Sequence, residues 1–232
     1  MKALSQFTRT HTLRLLGGSF LVLLVLLAPG CSTCGGPLAT TPAYKPSNVY
    51  KIGSLMPVHI RRVAVLPISA TAEDWQANES RLDLQPVLQG ELGKTKSFEQ
   101  VVVTPIQLKD WTGREAWLPE EKLPPNFFAK IAAQTGCEAV LFARLHPFHG
   151  FRPLLSGWEL KLVDVHTGQI VWAVDEVFDA SEPVIAQSAL QWFRQHPQAG
   201  LDRNVEPDAV LASPRRFNAY ALNTLFTTLP PR

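Results

Sequence analysis

The run Arg62-Val63-Ala64-Val65-Leu66-Pro67-Ile68 constrains this chain more than any other stretch. It is apolar without alternation, short, and punctuated by proline, so it predicts a strand buried on both faces. Such a strand belongs inside a sheet covered by helices. The theme recurs along the chain. Leu82, Leu84, Val87, Leu88 and Leu92 follow at helical spacing, with the regular helix expected to begin near Pro86 because an interior proline costs about 3 kcal/mol. Residues 99–103 read as a second strand. Phe127, Phe128, Ile131 and Ala132 mark a helix stopped by Gly136, and residues 139–145 form a third strand. Residues 158–165 and 169–178 read as an antiparallel hairpin turned at His166-Thr167-Gly168. A helix over 181–196 and a last helix opened by Ser213-Pro214 complete the order β-α-β-α-β-β-β-α-α. The expectation is an α/β fold with a mixed sheet of about five strands and flanking helices, in two or three layers, as one domain over residues 59–232.

Upstream of that domain the composition changes. Residues 1–14 are basic, residues 15–28 are almost wholly apolar, and Ala28-Pro29-Gly30-Cys31 follows. An apolar run of about 14 residues is shorter than the ~20 a stable membrane span needs, but suits the h-region of an export signal. Three of the chain's 22 Lys and Arg lie in residues 1–30, which hold no acid. The remainder carries 19 bases against 20 acids. The sequence pI of about 8.5 therefore reflects the leader, and nucleic acid is not an expected partner. Residues 31–58 are rich in Gly, Pro, Ser and Thr and read as a flexible tether, reaching at most ~90 Å when fully extended.

The residues that carry chemistry form no complete constellation. No G-x-S-x-G elbow, P-loop, H-E-x-x-H or G-x-G-x-x-G occurs in the sequence, and no metal or cofactor is expected. His146 and His149 flank Pro147 and read as a strand-end turn. Asp164, Asp175, Glu176 and Asp179 cluster on the hairpin, where two carboxylates at a suitable separation would serve a glycosidase. Alternation puts Asp175 and Glu176 on opposite faces, however, and Lys161 and Arg144 on neighbouring strands offer them partners. Cys137 reads as a small buried residue, and a bridge to Cys34 stays open. Two surfaces stand out for binding a partner. Trp111 and Trp117 lie in a proline-rich excursion over 104–125, where tryptophan can anchor an interface or fold back over the sheet. Phe148, Phe151, Leu154 and Leu155 cluster over residues 146–157.

The cysteine after a small-residue cleavage site resembles the bacterial lipobox. That resemblance implies a signal peptide over residues 1–30 and a diacylglycerol thioether on Cys31, whose new amino group is also acylated. An ordinary signal peptide cut elsewhere and an uncleaved anchor helix are the alternatives. Ser32, rather than Asp, implies the outer membrane. A second resemblance rests on Arg62–Pro67, on Gly136-Cys137-Glu138-Ala139-Val140-Leu141, and on the hairpin segment Leu160–Trp172, which reads LKLVDVHTGQIVW. Together they resemble the periplasmic α/β domains of the curli-secretion lipoproteins, the lipoprotein activators of penicillin-binding proteins, and the amino-terminal domain of the Tol-system β-propeller protein. The implied protein is not an enzyme: it is lipid-anchored, faces the periplasm, and binds other envelope proteins or associates with itself. The alternatives are a hydrolase of envelope polymers using the hairpin acids, and a subunit of an oligomeric secretion pore. For the pore, the chain lacks a pair of long alternating hairpins with an apolar outer face.

Overall fold

The computed structural model describes residues 43–196 and 207–232, all of which belong to one compact unit. Six strands form a single mixed sheet: β1 (Val49–Lys51), β2 (Arg62–Val65), β3 (Glu99–Val102), β4 (Ala139–His149), β5 (Leu155–Asp164) and β6 (Ile170–Asp179). Their spatial order is β1-β6-β5-β4-β2-β3. β2 runs parallel to both β3 and β4, and all other neighbours are antiparallel. Among the described residues, five α-helices accompany the sheet: α1 (Trp75–Lys94), α2 (Pro105–Thr112), α3 (Phe127–Thr135), α4 (Pro183–Gln195) and α5 (Pro214–Phe226).

The double burial expected of β2 is met by helices on both faces. α1, α4 and α5 pack over one face, where Val63, Val65, Leu141, Leu160 and Trp172 meet Leu88, Ile185, Phe217 and Tyr220. α2 and α3 pack over the other, where Ala64, Leu66, Val140 and Phe142 meet Leu108, Phe127 and Ile131. This region is therefore three-layered. The α5 layer also satisfies indole N–H groups that burial would otherwise strand. Trp158 Nε1 donates to Asn218 Oδ1 at 2.8 Å, and Trp192 Nε1 to Asn223 Oδ1 at 2.9 Å. Just beyond α5, Thr228 Oγ1 accepts from Trp172 Nε1 at 3.0 Å.

Three elements differ from the sequence expectation, each for a physical reason. The sixth strand, β1, lies inside the stretch read as tether. Its three residues show no apolar alternation. It is held instead by pairing with β6 and by Glu176, which accepts from Tyr44 Oη at 2.8 Å and Ser47 N at 2.7 Å. α1 begins eleven residues ahead of Pro86. Asp74 caps it, its Oδ1 accepting from Ala77 N at 2.9 Å. Pro86 faces solvent while Leu84, Val87, Leu88 and Leu92 are buried. Burial of each such side chain contributes roughly 1.5–3 kcal/mol, so together they outweigh the cost of one interior proline. Within the proline-rich excursion, α2 is set by a capping box. Thr104 Oγ1 accepts from Gln107 N, and Gln107 Oε1 accepts from Thr104 N at 2.9 Å.

Two glycines are fixed by geometry. Gly136 ends α3 with φ +64°, a conformation that favours glycine. Gly157 on β5 lies against a bulge in β4. A Cβ there would fall 2.3 Å from the His146 carbonyl oxygen.

Candidate protein-binding surface

Three of the four hairpin acids, Glu176, Asp179 and Asp164, are engaged in structural contacts, and Asp175 is exposed. Glu176 clasps the amino-terminal segment, as described above. Asp179 Oδ1 accepts from Ser181 N at 2.7 Å and stabilises the turn into α4. Asp164 is buried at the hairpin turn, where its Oδ1 accepts from His166 N at 2.8 Å and its Oδ2 meets His59 Nε2 at 2.7 Å. Burial alone would raise its carboxyl. The His166 amide, the His59 ring and the Thr167 amide outweigh that and hold it below the usual carboxylate range. Asp175 and Glu176 do point to opposite sides, but Arg144 and Lys161 do not pair with them. Both cations meet Glu159, at 3.6 and 3.7 Å. Arg144 also pairs with Glu120, and Lys161 Nζ donates to the Pro119 carbonyl at 2.8 Å. These contacts fasten residues 119–120 over the sheet. Burial and the nearby Glu120 carboxylate push the Glu159 carboxyl up, against the pull of Lys161 and Arg144.

The histidines and the thiol are also accounted for by local structure. His146 Nδ1 lies 3.2 Å from Asp74 Oδ2, which also accepts from Phe148 N. His149 Nδ1 faces the Phe151 and Pro153 carbonyls at 3.0 and 3.2 Å. Among the described residues, no group of three or more His, Cys, Asp or Glu is placed to hold a metal ion. Cys137 is buried, and burial pushes its thiol up. Cys31 and Cys34 lie outside the described residues, and with them the expected lipidation at Cys31 and the question of a Cys34–Cys137 bridge.

Of the residues singled out as partner anchors, the structure leaves one plainly exposed. Trp117 is only 7% exposed. It stacks edge-on against Phe127, donates from Nε1 to Thr112 Oγ1 at 2.9 Å, and lies under the Arg114 guanidinium. Trp111 is half-buried against the same core. Phe148 and Leu154 are buried, whereas Phe151 is 67% exposed. Phe151 stands in the β4–β5 loop beside the start of α1, where Gly150 N donates to Gln76 Oε1 and Trp75 is also exposed.

A second surface was not visible in the sequence. An apolar groove of about 210 Å³ runs between α1 and the end of β3, lined chiefly by Ile68, Leu82, Pro86, Val102, Val103 and Pro105. Gln85 braces its inner wall, its Oε1 accepting from Ile68 N at 2.7 Å. β3 is the last strand of the sheet. Glu99 N and Val103 N donate inward to Arg61 and Val65, and strand alternation turns the Val102 N–H and C=O to the open edge. Val102, Leu82 and, on the first turn of α2, Ile106 are exposed side chains here. No sequence signal finds this groove, because its walls come from three separate segments that only tertiary packing brings together.

No protein-family model and no curated protein matches the sequence. Among solved structures, the chain is similar to the PelC dodecamer subunit from Paraburkholderia phytofirmans (12% identity, 61% of this chain and 86% of that one, TM-score 0.40). It is also similar to lipoprotein GNA1162 from Neisseria meningitidis (10% identity, 61% and 99%, TM-score 0.38). A third neighbour is the carboxy-terminal domain of LpoB from Salmonella enterica (22% identity, 50% and 81%, TM-score 0.33). LpoB belongs to one of the groups named from the sequence resemblance.

Proposed function

We propose that this chain is a bacterial envelope lipoprotein, held at the outer membrane and facing the periplasm through acylated Cys31, whose α/β domain acts by binding other envelope proteins. The observation that carries the binding role is the open apolar groove beside the unpaired edge of β3. An exposed strand edge offers main-chain hydrogen bonds, and an adjoining groove offers side-chain selection. Three of the four hairpin acids support binding over hydrolysis, since Glu176, Asp164 and Asp179 each serve a fold contact, which leaves Asp175 without a carboxylate partner for acid–base work. The anchoring role rests on the apolar run 15–28 ahead of Cys31. Each buried acyl CH₂ contributes about 0.8 kcal/mol, so two or three chains hold the domain at the bilayer surface.

Metabolic labelling with an alkynyl palmitate tests the anchor. The wild type and Cys34→Ser incorporate label and partition into the detergent phase, and Cys31→Ser does neither. Label retained by Cys31→Ser contradicts the assignment.

A further inference from the structure

Arg81 links the apolar groove to a second depression. It lines the groove on one side and, on the other, a cleft of about 340 Å³ formed by residues 69–73 after β2 and residues 114–118 of the excursion. That cleft lies at the carboxyl end of β2. From β2 the chain passes to β3 through α1 on one face, and from β3 to β4 through α2 and α3 on the other. In open α/β sheets, ligands gather at such switch points.

The two arginines of the cleft differ in their partners. Arg114 pairs with Glu121 at 3.1 Å and covers the Trp117 ring. Arg81 donates from Nε to Asn78 Oδ1 at 2.9 Å. Its Nη1 is buried without an acceptor, and it forms no ion pair among the described residues. A guanidinium presents a planar fork suited to a carboxylate, and an unmet buried donor favours an incoming acceptor.

We infer that the two depressions form one site for an extended segment of a partner protein. In this site an apolar side chain lies between Leu82, Pro86 and Val102, and a neighbouring carboxylate pairs with Arg81. The segment's backbone adds to the open edge of β3 at Val102. This inference rests on the protein-binding role proposed above and specifies the chemistry of the partner. Glu73 also lines the cleft, so the carboxylate is placed at Arg81 and not deeper.

The test uses the full-length lipoprotein in detergent micelles and two fluorescent peptides. One peptide alternates valine and threonine and ends in valine followed by an amidated aspartate; in its twin, asparagine replaces the aspartate. The first peptide binds saturably by anisotropy, and the twin binds at least tenfold more weakly. Arg81→Gln abolishes the difference between the peptides, and Leu82→Asp weakens both. Equal binding of the two peptides, or an Arg81→Gln protein that still distinguishes them, overturns the inference. Photoreactive residues at Leu82 and Phe151, used in cells, separate this failure from failure of the binding role. A discrete protein adduct from Phe151 alone, with no peptide binding, overturns the groove and leaves the role standing. No adduct from either position overturns both.

Discussion

Glu176→Ala is expected to release the amino-terminal segment while leaving the core folded. In the wild type this carboxylate accepts from Tyr44 Oη and Ser47 N at 2.8 and 2.7 Å, directly ahead of β1. β1 itself is only three residues long and pairs on one side alone. Hydrogen bonds to a charged group contribute about 1.5–3 kcal/mol each when well buried. Ser47 is exposed and Tyr44 half-buried, so solvent screening reduces the pair to roughly 1–2 kcal/mol for the segment. A loss of that size raises the open population of β1 about 5- to 30-fold. The probe is hydrogen exchange at the Ile52 amide, which donates to the Val171 carbonyl at 3.0 Å. Exchange there accelerates by that factor, whereas the Leu145 amide, bonded to Ser69 in the sheet interior, keeps its protection. Unchanged exchange at Ile52 refutes the clasp. Equal acceleration at both sites refutes the view that β1 opens independently.

Three further predictions follow from packing and charge. Gly157→Ala sets a Cβ 2.3 Å from the His146 carbonyl. Overpacking of this kind costs about 1–3 kcal/mol, so the thermal midpoint falls by roughly 2–12 °C; a midpoint within 1 °C of wild type contradicts the close approach. Asp164 is held below its ordinary range in the fold, so its stabilisation is present above pH ~4 and lost as pH falls through the folded value. Asp164→Asn therefore lowers the midpoint at pH 7 and flattens its acid limb, and an acid limb identical to wild type refutes this. Burial shields the Cys137 thiol and raises its pKa. In a Cys34→Ser background it reacts with a disulfide reagent only on unfolding, and rapid reaction in the folded protein contradicts its placement.

Legibility in the sequence followed periodicity. The doubly buried β2, the long hairpin of β5 and β6, α3 with its Gly136 stop and the Ser213-Pro214 start of α5 all carry local signals strong enough to read. β1 was hidden because an edge strand of three residues is held by its neighbour and by Glu176, and not by its own pattern. The early start of α1 was obscured by Pro86, whose cost is met by apolar burial on the opposite side of the helix. α2 did leave a signal, since Thr104 and Gln107 have capping-box spacing, but the surrounding prolines mask it. The tryptophans of the excursion show the same ambiguity in the candidate site. Sequence marks Trp117 as an anchor without saying for what, and the structure directs it into the protein's own core. In the groove at Leu82, Pro86 and Val102, Leu82 and Pro86 lie one helical turn apart, but only tertiary packing brings Val102 beside them.

Photocrosslinking in living cells tests the central claim, that an anchored domain works by binding another envelope protein. With a photoreactive residue at Leu82, the intact lipoprotein gives a discrete adduct with a protein of the membrane fraction, and Cys31→Ser reduces it strongly because the domain leaves the bilayer surface. No adduct from Leu82 or from the same residue placed at Phe151, or an adduct yield unchanged in Cys31→Ser, contradicts the account.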